Sequence, residues 1–131
     1  MIEKTHETSH GAIHYWINQL EKTAGLSLIC LPGLTADHRL FERQVAYFKD
    51  KLRVLVWDAP GHATSYPFEL DFNLFDKAKW LDEILKKEGM ENKLLIINRD
   101  FFFLWVAFLA ISSFLPSFSS SSSFSFSSFS F

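Results

Sequence analysis

Three short, dominantly apolar runs constrain this chain more than any other feature: "LSLICL" at Leu26–Leu31, "LRVLVW" at Leu52–Trp57 and "KLLII" at Lys93–Ile97. A strand with one face in water alternates apolar and polar residues, whereas a run without alternation must be covered on both faces. Helical periodicity fills the gaps between these runs. Phe41, Val45 and Phe48 recur at i, i+4 and i+7, and Leu74, Ala78, Leu81 and Leu85 form an apolar stripe beside Lys77, Asp82 and Lys86, which are expected to be exposed. Strand, helix, strand, helix, strand with covered sheet faces predicts an α/β layered fold built from right-handed parallel crossovers.

The boundaries follow from local chemistry. "GAIHYWIN" at Gly11–Asn18 alternates, with Ile13, Tyr15 and Ile17 on one face, as a half-buried strand should. Asp37 is the expected N-cap of a helix ending near Phe48, Asp71 that of the next, and Gly89 supplies its C-terminal stop. Residues 1–10, "MIEKTHETSH", have no apolar pattern and are expected to be a disordered lead-in to a domain over 11–97. They also lack the apolar stretch of a signal peptide, so the folded part is expected in the cytoplasm.

Charge narrows the function classes. Thirteen Lys and Arg residues are scattered among fifteen acids, for a net charge of -2 and a pI near 6.2, with no basic patch to attract nucleic acid. The single cysteine, Cys30, lies inside an apolar run and is expected to be a buried, inert thiol. "HETSH" at His6–His10 satisfies the letter of a His-Glu-x-x-His zinc motif, but that chemistry needs both imidazoles on one face of a stable helix with a third ligand. Polar sequence next to Gly11 offers no such helix, so neither a metal nor any other cofactor is expected.

In open parallel sheets, ligands gather at the carboxyl ends of the strands, so the informative loops follow Leu31, Trp57 and Ile97. The first reads "LPGLTADHRLFERQ" and the second "WDAPGHATS". With their flanking strands, these loops resemble the N-terminal half of an α/β-hydrolase, whose second loop has the pattern Asp-x-Pro-Gly-x-Gly-x-Ser. Asp58, Pro60, Gly61 and Ser65 match that pattern, while Ala63 stands where the family has glycine and Pro32 where it usually has histidine. The resemblance implies a three-layer sandwich with a mostly parallel sheet and a serine-dependent hydrolysis of a small ester or acyl substrate. It implies that Gly33 makes the turn of an oxyanion hole and Leu34 offers its N–H. Asp58, Pro60 and Gly61 would lock the second loop; neither Asp58 nor His62 is nominated as catalytic.

The third loop breaks the pattern. Where a Gly-x-Ser-x-Gly elbow belongs, the chain reads Asn98, Arg99, Asp100, Phe101, Phe102, and no glycine follows Gly89. No histidine follows His62 and no acid follows Asp100, so nucleophile, base and orienting acid are all missing, and no triad activity is expected of this truncated domain. Residues 98–116 are apolar, and Phe101–Leu115 is a candidate membrane helix, shorter than the about 20 residues a bilayer requires. This gives the alternative reading of a small membrane-associated protein anchored by 101–115. Residues 117–131 are a low-complexity tail of serine and phenylalanine alone. Both residues have pyrimidine-only codons, which points to translation of a pyrimidine tract reached by a frameshift, a retained intron or a wrong gene model near Asn98. Ending the sheet there should leave the third run as an unpaired apolar edge.

Overall fold

A computed structural model describes residues 1–20, 26–33 and 36–90, together with the backbone of 94–98 and 125–128. One sheet organises the chain. Its strands are β1 (Ile2–Thr8), β2 (Gly11–Ile17), β3 (Ser27–Leu31), β4 (Arg53–Trp57), β5 (Leu94–Asn98) and β6 (Ser125–Ser128), in the spatial order β1-β2-β4-β3-β5-β6. β1 with β2 and β2 with β4 are antiparallel. β4 with β3, β3 with β5 and β5 with β6 are parallel. Helices α1 (Glu42–Phe48) and α2 (Leu74–Lys87) supply the outer layers.

The apolar runs divide between the two faces residue by residue. Leu28 and Cys30 of β3, with Val54 and Val56 of β4, pack with Phe41 and with the half-buried Val45 and Phe48 of α1. Ile29, Leu31, Leu55 and Trp57 point the other way and join Ile13, Tyr15 and Ile17 of β2 against Ala78, Leu81, Ile84 and Leu85 of α2. This is the predicted three-layer arrangement, and the period of two along each strand is what splits the side chains. Asn18, nearly buried, ties β2 to the α1–β4 turn: its amide donates to the carbonyls of Lys49 and Leu52, both at 2.6 Å, and accepts from the Val54 N–H at 2.9 Å.

Five expectations need correcting. Residues 1–10 are not a disordered lead-in; β1 pairs with β2 from Ile2↔Ile17 to Thr8↔Gly11. The strand is exposed along most of its length, so no apolar alternation announces it. Backbone pairing and ionic contacts hold it instead: Lys4 Nζ to Glu88 at 2.8 Å, His6 to Glu83 at 2.9 Å and Glu3 to His14 at 2.7 Å. The His-Glu-x-x-His motif therefore lies on a strand and its hairpin turn, and its imidazoles go to separate carboxylates, His6 to Glu83 and His10 to Asp71.

Helix α2 begins two residues later than expected. Asn73, not Asp71, is its N-cap: the Asn73 side chain accepts from the Asp76 N–H at 2.9 Å, while Asp76 accepts from the Asn73 N–H at 3.0 Å, a reciprocal box. Asp71 was free to pair with His10. The helix before it is also split, since Asp37 caps a 3₁₀ turn, His38–Phe41, and α1 starts only at Glu42. Asp82, expected on the solvent face, is buried and held by Lys86 at 2.7 Å. Gly89 ends α2 as predicted, at φ +64°, with its N–H on the Lys86 carbonyl and the Met90 N–H on the Leu85 carbonyl at 2.8 Å. Finally, β5 is not left as a free edge: Ser125–Ser128 of the tail pairs with it in parallel register, Leu95 opposite Ser125. The segment Phe101–Leu115 lies outside the described residues. Among those described, no helix is long and apolar enough to cross a membrane.

Candidate functional site

The sheet order places β3 beside β4, so the loops leaving their carboxyl ends are neighbours. The first leaves β3 at Leu31 through Pro32 and Gly33, and the Gly33 carbonyl accepts from the Ala36 N–H at 3.1 Å. Leu34, the expected source of the oxyanion-hole N–H, lies outside the described residues. Asp37 then accepts from the Arg39 N–H at 2.9 Å and is clamped by the Arg39 guanidinium, with Nη2 at 2.5 Å. Those hydrogen bonds from Arg39 hold the Asp37 carboxyl below its ordinary value against the smaller opposing effect of burial. The clamp orients His38 as the first residue of the 3₁₀ turn.

The second loop is built around Asp58, which is fully buried. Burying a carboxylate is costly unless its oxygens are satisfied, and here each oxygen is. Oδ1 accepts from the His38 backbone N–H at 2.7 Å and faces His38 Nδ1 at 3.0 Å. Oδ2 accepts from the Thr64 hydroxyl at 2.7 Å and the Thr64 N–H at 3.2 Å. Ser65, also buried, donates to the Asp58 carbonyl at 2.8 Å and accepts from the His14 N–H at 2.9 Å, fastening the loop to β2. Gly61 turns at φ +80°, and Ala63 occupies the left-handed region at φ +46°, the position where the resembled loop carries glycine. Only glycine adopts that conformation without cost.

His62 takes no part in holding Asp58; its Nδ1 lies 3.1 Å from the Pro60 carbonyl oxygen of its own turn. Asp58 is instead paired with His38, a residue the sequence reading passed over. The indole of Trp16 stacks on the His38 ring, centroids 3.7 Å apart and planes inclined by 24°. His38 and Asp58 are twenty positions apart, so only the pairing of β3 with β4 brings them together. The signal available was an Asp-His pair after one strand and an acid immediately after its neighbour.

Elsewhere, Cys30 is fully buried and its thiol is pushed up to about 12 by that burial. A second polar cluster lies at the far end of α2, where the Tyr15 hydroxyl donates to Glu88 at 2.6 Å beside Lys4. Burial and Glu88 together raise the Tyr15 phenol. For Glu88, burial would raise the carboxyl, but the hydrogen bonds from Lys4 and Tyr15 prevail and lower it. Among the described residues, no group of three or more His, Cys, Asp or Glu side chains could hold a metal ion.

No protein-family model matches the sequence, and no curated protein sequence does either. Solved structures do match. A variant of AqdC, a ring-cleaving enzyme of the Pseudomonas quinolone signal, in complex with its substrate superposes with a TM-score of 0.70 at 17% identity over 86% of this chain and 40% of that one. The N-acyl homoserine lactonase AidH, complexed with N-butanoyl homoserine, gives 0.68 at 21% identity, covering 88% of this chain and 42% of that one. An epoxide hydrolase of Aspergillus niger gives 0.67 at 22% identity, covering 82% and 30%. The chain therefore has the α/β-hydrolase fold, over a length that spans well under half of each of these structures.

Proposed function

We propose that this chain supplies the N-terminal strands and loops of a serine-type α/β-hydrolase acting on small ester or acyl substrates, and that its 131 residues alone carry out no triad chemistry. The observation that carries the first half is the paired loop system at the ends of β3 and β4, with Asp58 buried beneath it. The shared fold supports it, and the structures it resembles include a quinolone-cleaving enzyme and an N-acyl homoserine lactonase, both complexed with small molecules. The second half rests on the sequence: no glycine after Gly89, no histidine after His62 and no acid after Asp100. A serine hydroxyl without a base beside it is a poor nucleophile at neutral pH. Gly33 and Leu34 belong to the oxyanion loop in this reading, which has no nucleophile to serve within the chain.

The test is a fluorophosphonate probe on the purified chain, followed by peptide mass spectrometry. No serine should be labelled, and saturable cleavage of an activated ester with an adduct on one serine would overturn the reading. We further propose that the Ser/Phe tail is the translation of a pyrimidine tract. Sequencing the mature messenger across the codon of Ile97 tests this, and an unbroken frame that encodes the same tail would refute it.

A further inference from the structure

We propose that His38 is a proton-accepting and acyl-accepting imidazole, set by Asp58, at the carboxyl ends of β3 and β4. The inference uses only groups within this chain and stands whether or not serine chemistry belongs to the full protein. Four histidines have carboxylate partners, but their settings differ. Glu83, Asp71 and Glu3, the partners of His6, His10 and His14, are 40%, 76% and 51% exposed, whereas Asp58 is at 0%. Solvent reaches the carboxylate of the first three pairs and not that of the fourth.

The geometry fixes which ring nitrogen is available. A carboxylate can only accept, so in the neutral imidazole Nδ1 must carry the proton it donates to Asp58. The same residue's backbone N–H also donates to Oδ1, which pins His38 at two points. Trp16 closes one face of the ring and opposes its rotation. The lone pair therefore lies on Nε2, which has no partner among the described residues, and the side chain is 29% exposed. An imidazole with one nitrogen held by a buried acid and the other open is the arrangement that takes a proton from a water, hydroxyl or acidic N–H, or attacks an activated carbonyl. Its place, in the loop cluster where open α/β sheets receive ligands, matches a small polar molecule bearing such a proton.

Diethyl pyrocarbonate probes the lone pair directly. The Nε2 electron pair adds to one carbonyl carbon, the bond to the central oxygen breaks, and the ethyl carbonate released decomposes to carbon dioxide and ethanol, taking up the proton lost from Nδ1. Two measurements on the full chain decide the matter. Long-range ¹H–¹⁵N correlation on the unmodified protein should show His38 as the Nδ1–H form; a proton on Nε2 would overturn the proposal without any variant. Site-resolved mass spectrometry should then show His38 carbethoxylated about tenfold or more faster in the native chain than in Asp58→Asn, whose amide can donate to Nδ1 and drive the proton to Nε2. Thr64→Val also loosens the Asp58 lock but leaves the His38 pair, so its rate should stay within about twofold. A merely structural pair predicts no difference: equal rates in native and Asp58→Asn chains, with both variants altered only in melting temperature.

Discussion

On the face covered by α2, one fourteen-residue helix buries six of its side chains; on the opposite face α1, seven residues long, buries none. The same strands supply both faces, with Leu55 and Trp57 towards α2 and Val54 and Val56 towards α1. What completes the α1 side is Phe41, which belongs to the 3₁₀ turn before the helix and is 2% exposed. Packing on the thin side thus runs through the very turn that begins with His38, whereas the thick side anchors the hairpin and the far end of the sheet. The His38–Asp58 pair is therefore attached to the lighter of the two covers, and less heavily packed parts of a domain open more readily.

Cys30 gives the most sensitive test of the thin cover, because it faces α1. Its thiol is raised from 9.0 to about 12 by burial, so at pH 8 the thiolate fraction falls by roughly a thousandfold relative to an exposed cysteine. A thiol-reactive disulfide should therefore react with the native chain more slowly by at least that order, and at the normal rate in denaturant. Rapid native reaction would mean that α1 does not exclude water and that the two faces differ more than their burial indicates.

Truncating one residue on each side measures the asymmetry in energy. Leu81→Ala, at a fully buried position of α2, should cost about 3 kcal/mol, the usual loss for a buried leucine. Val45→Ala, on the half-buried surface of α1, should cost less than about 1 kcal/mol. Equal losses in urea unfolding would show that the α1 layer contributes as much as the α2 layer, and the comparison would fail.

How much of this was legible beforehand follows the same division. The buried runs and both helices could be read because burial on two faces and helical period leave unambiguous patterns in β3, β4 and α2. β1 could not, since a strand held by its backbone and by Lys4, His6 and Glu3 has no apolar signature. Asp71 and Asn73 are both capping residue types two positions apart, and only the reciprocal bond of Asn73 with Asp76 decides between them. Of the loop cluster, Asp58 and Gly61 were visible as turn chemistry. The His38–Asp58 pair was not, because it depends on which strand lies next to which, a fact carried by no local segment.

The polar anchor at the end of α2 should respond to pH. Glu88 is lowered in the folded chain, so its contribution is present above the ordinary carboxylate range and is lost as the pH falls through its folded value. Tyr15 is raised, so the stability that comes from its protonated form is present at neutral pH and fades only in strong alkali. Glu88→Gln should cost about 1–2 kcal/mol at pH 7, and the gap to the native chain should close as the pH falls below the ordinary carboxylate range. A gap that persists in acid would mean that shape, rather than charge, fastens β1 and β2 to the thick side.

Ala63 belongs to neither face, and its substitution calibrates the loop that both helices leave alone. At φ +46° an alanine pays about 1–2 kcal/mol for the clash of its Cβ with the backbone, and its exposed methyl group gains nothing in packing. Glycine removes that strain but brings an unfolded-chain entropy of about 0.5–1 kcal/mol. The difference predicts that Ala63→Gly stabilises the chain by about 0.5–1 kcal/mol, read as a higher urea midpoint at constant slope. Gly61→Ala, at φ +80°, should lose about 0.5–1 kcal/mol by the same difference, with the close approach to Leu70 Cδ2 relieved by rotation of that exposed side chain. If both substitutions moved the midpoint in the same direction, the left-handed backbone at 61–63 would not be what holds Thr64 and Ser65 against Asp58.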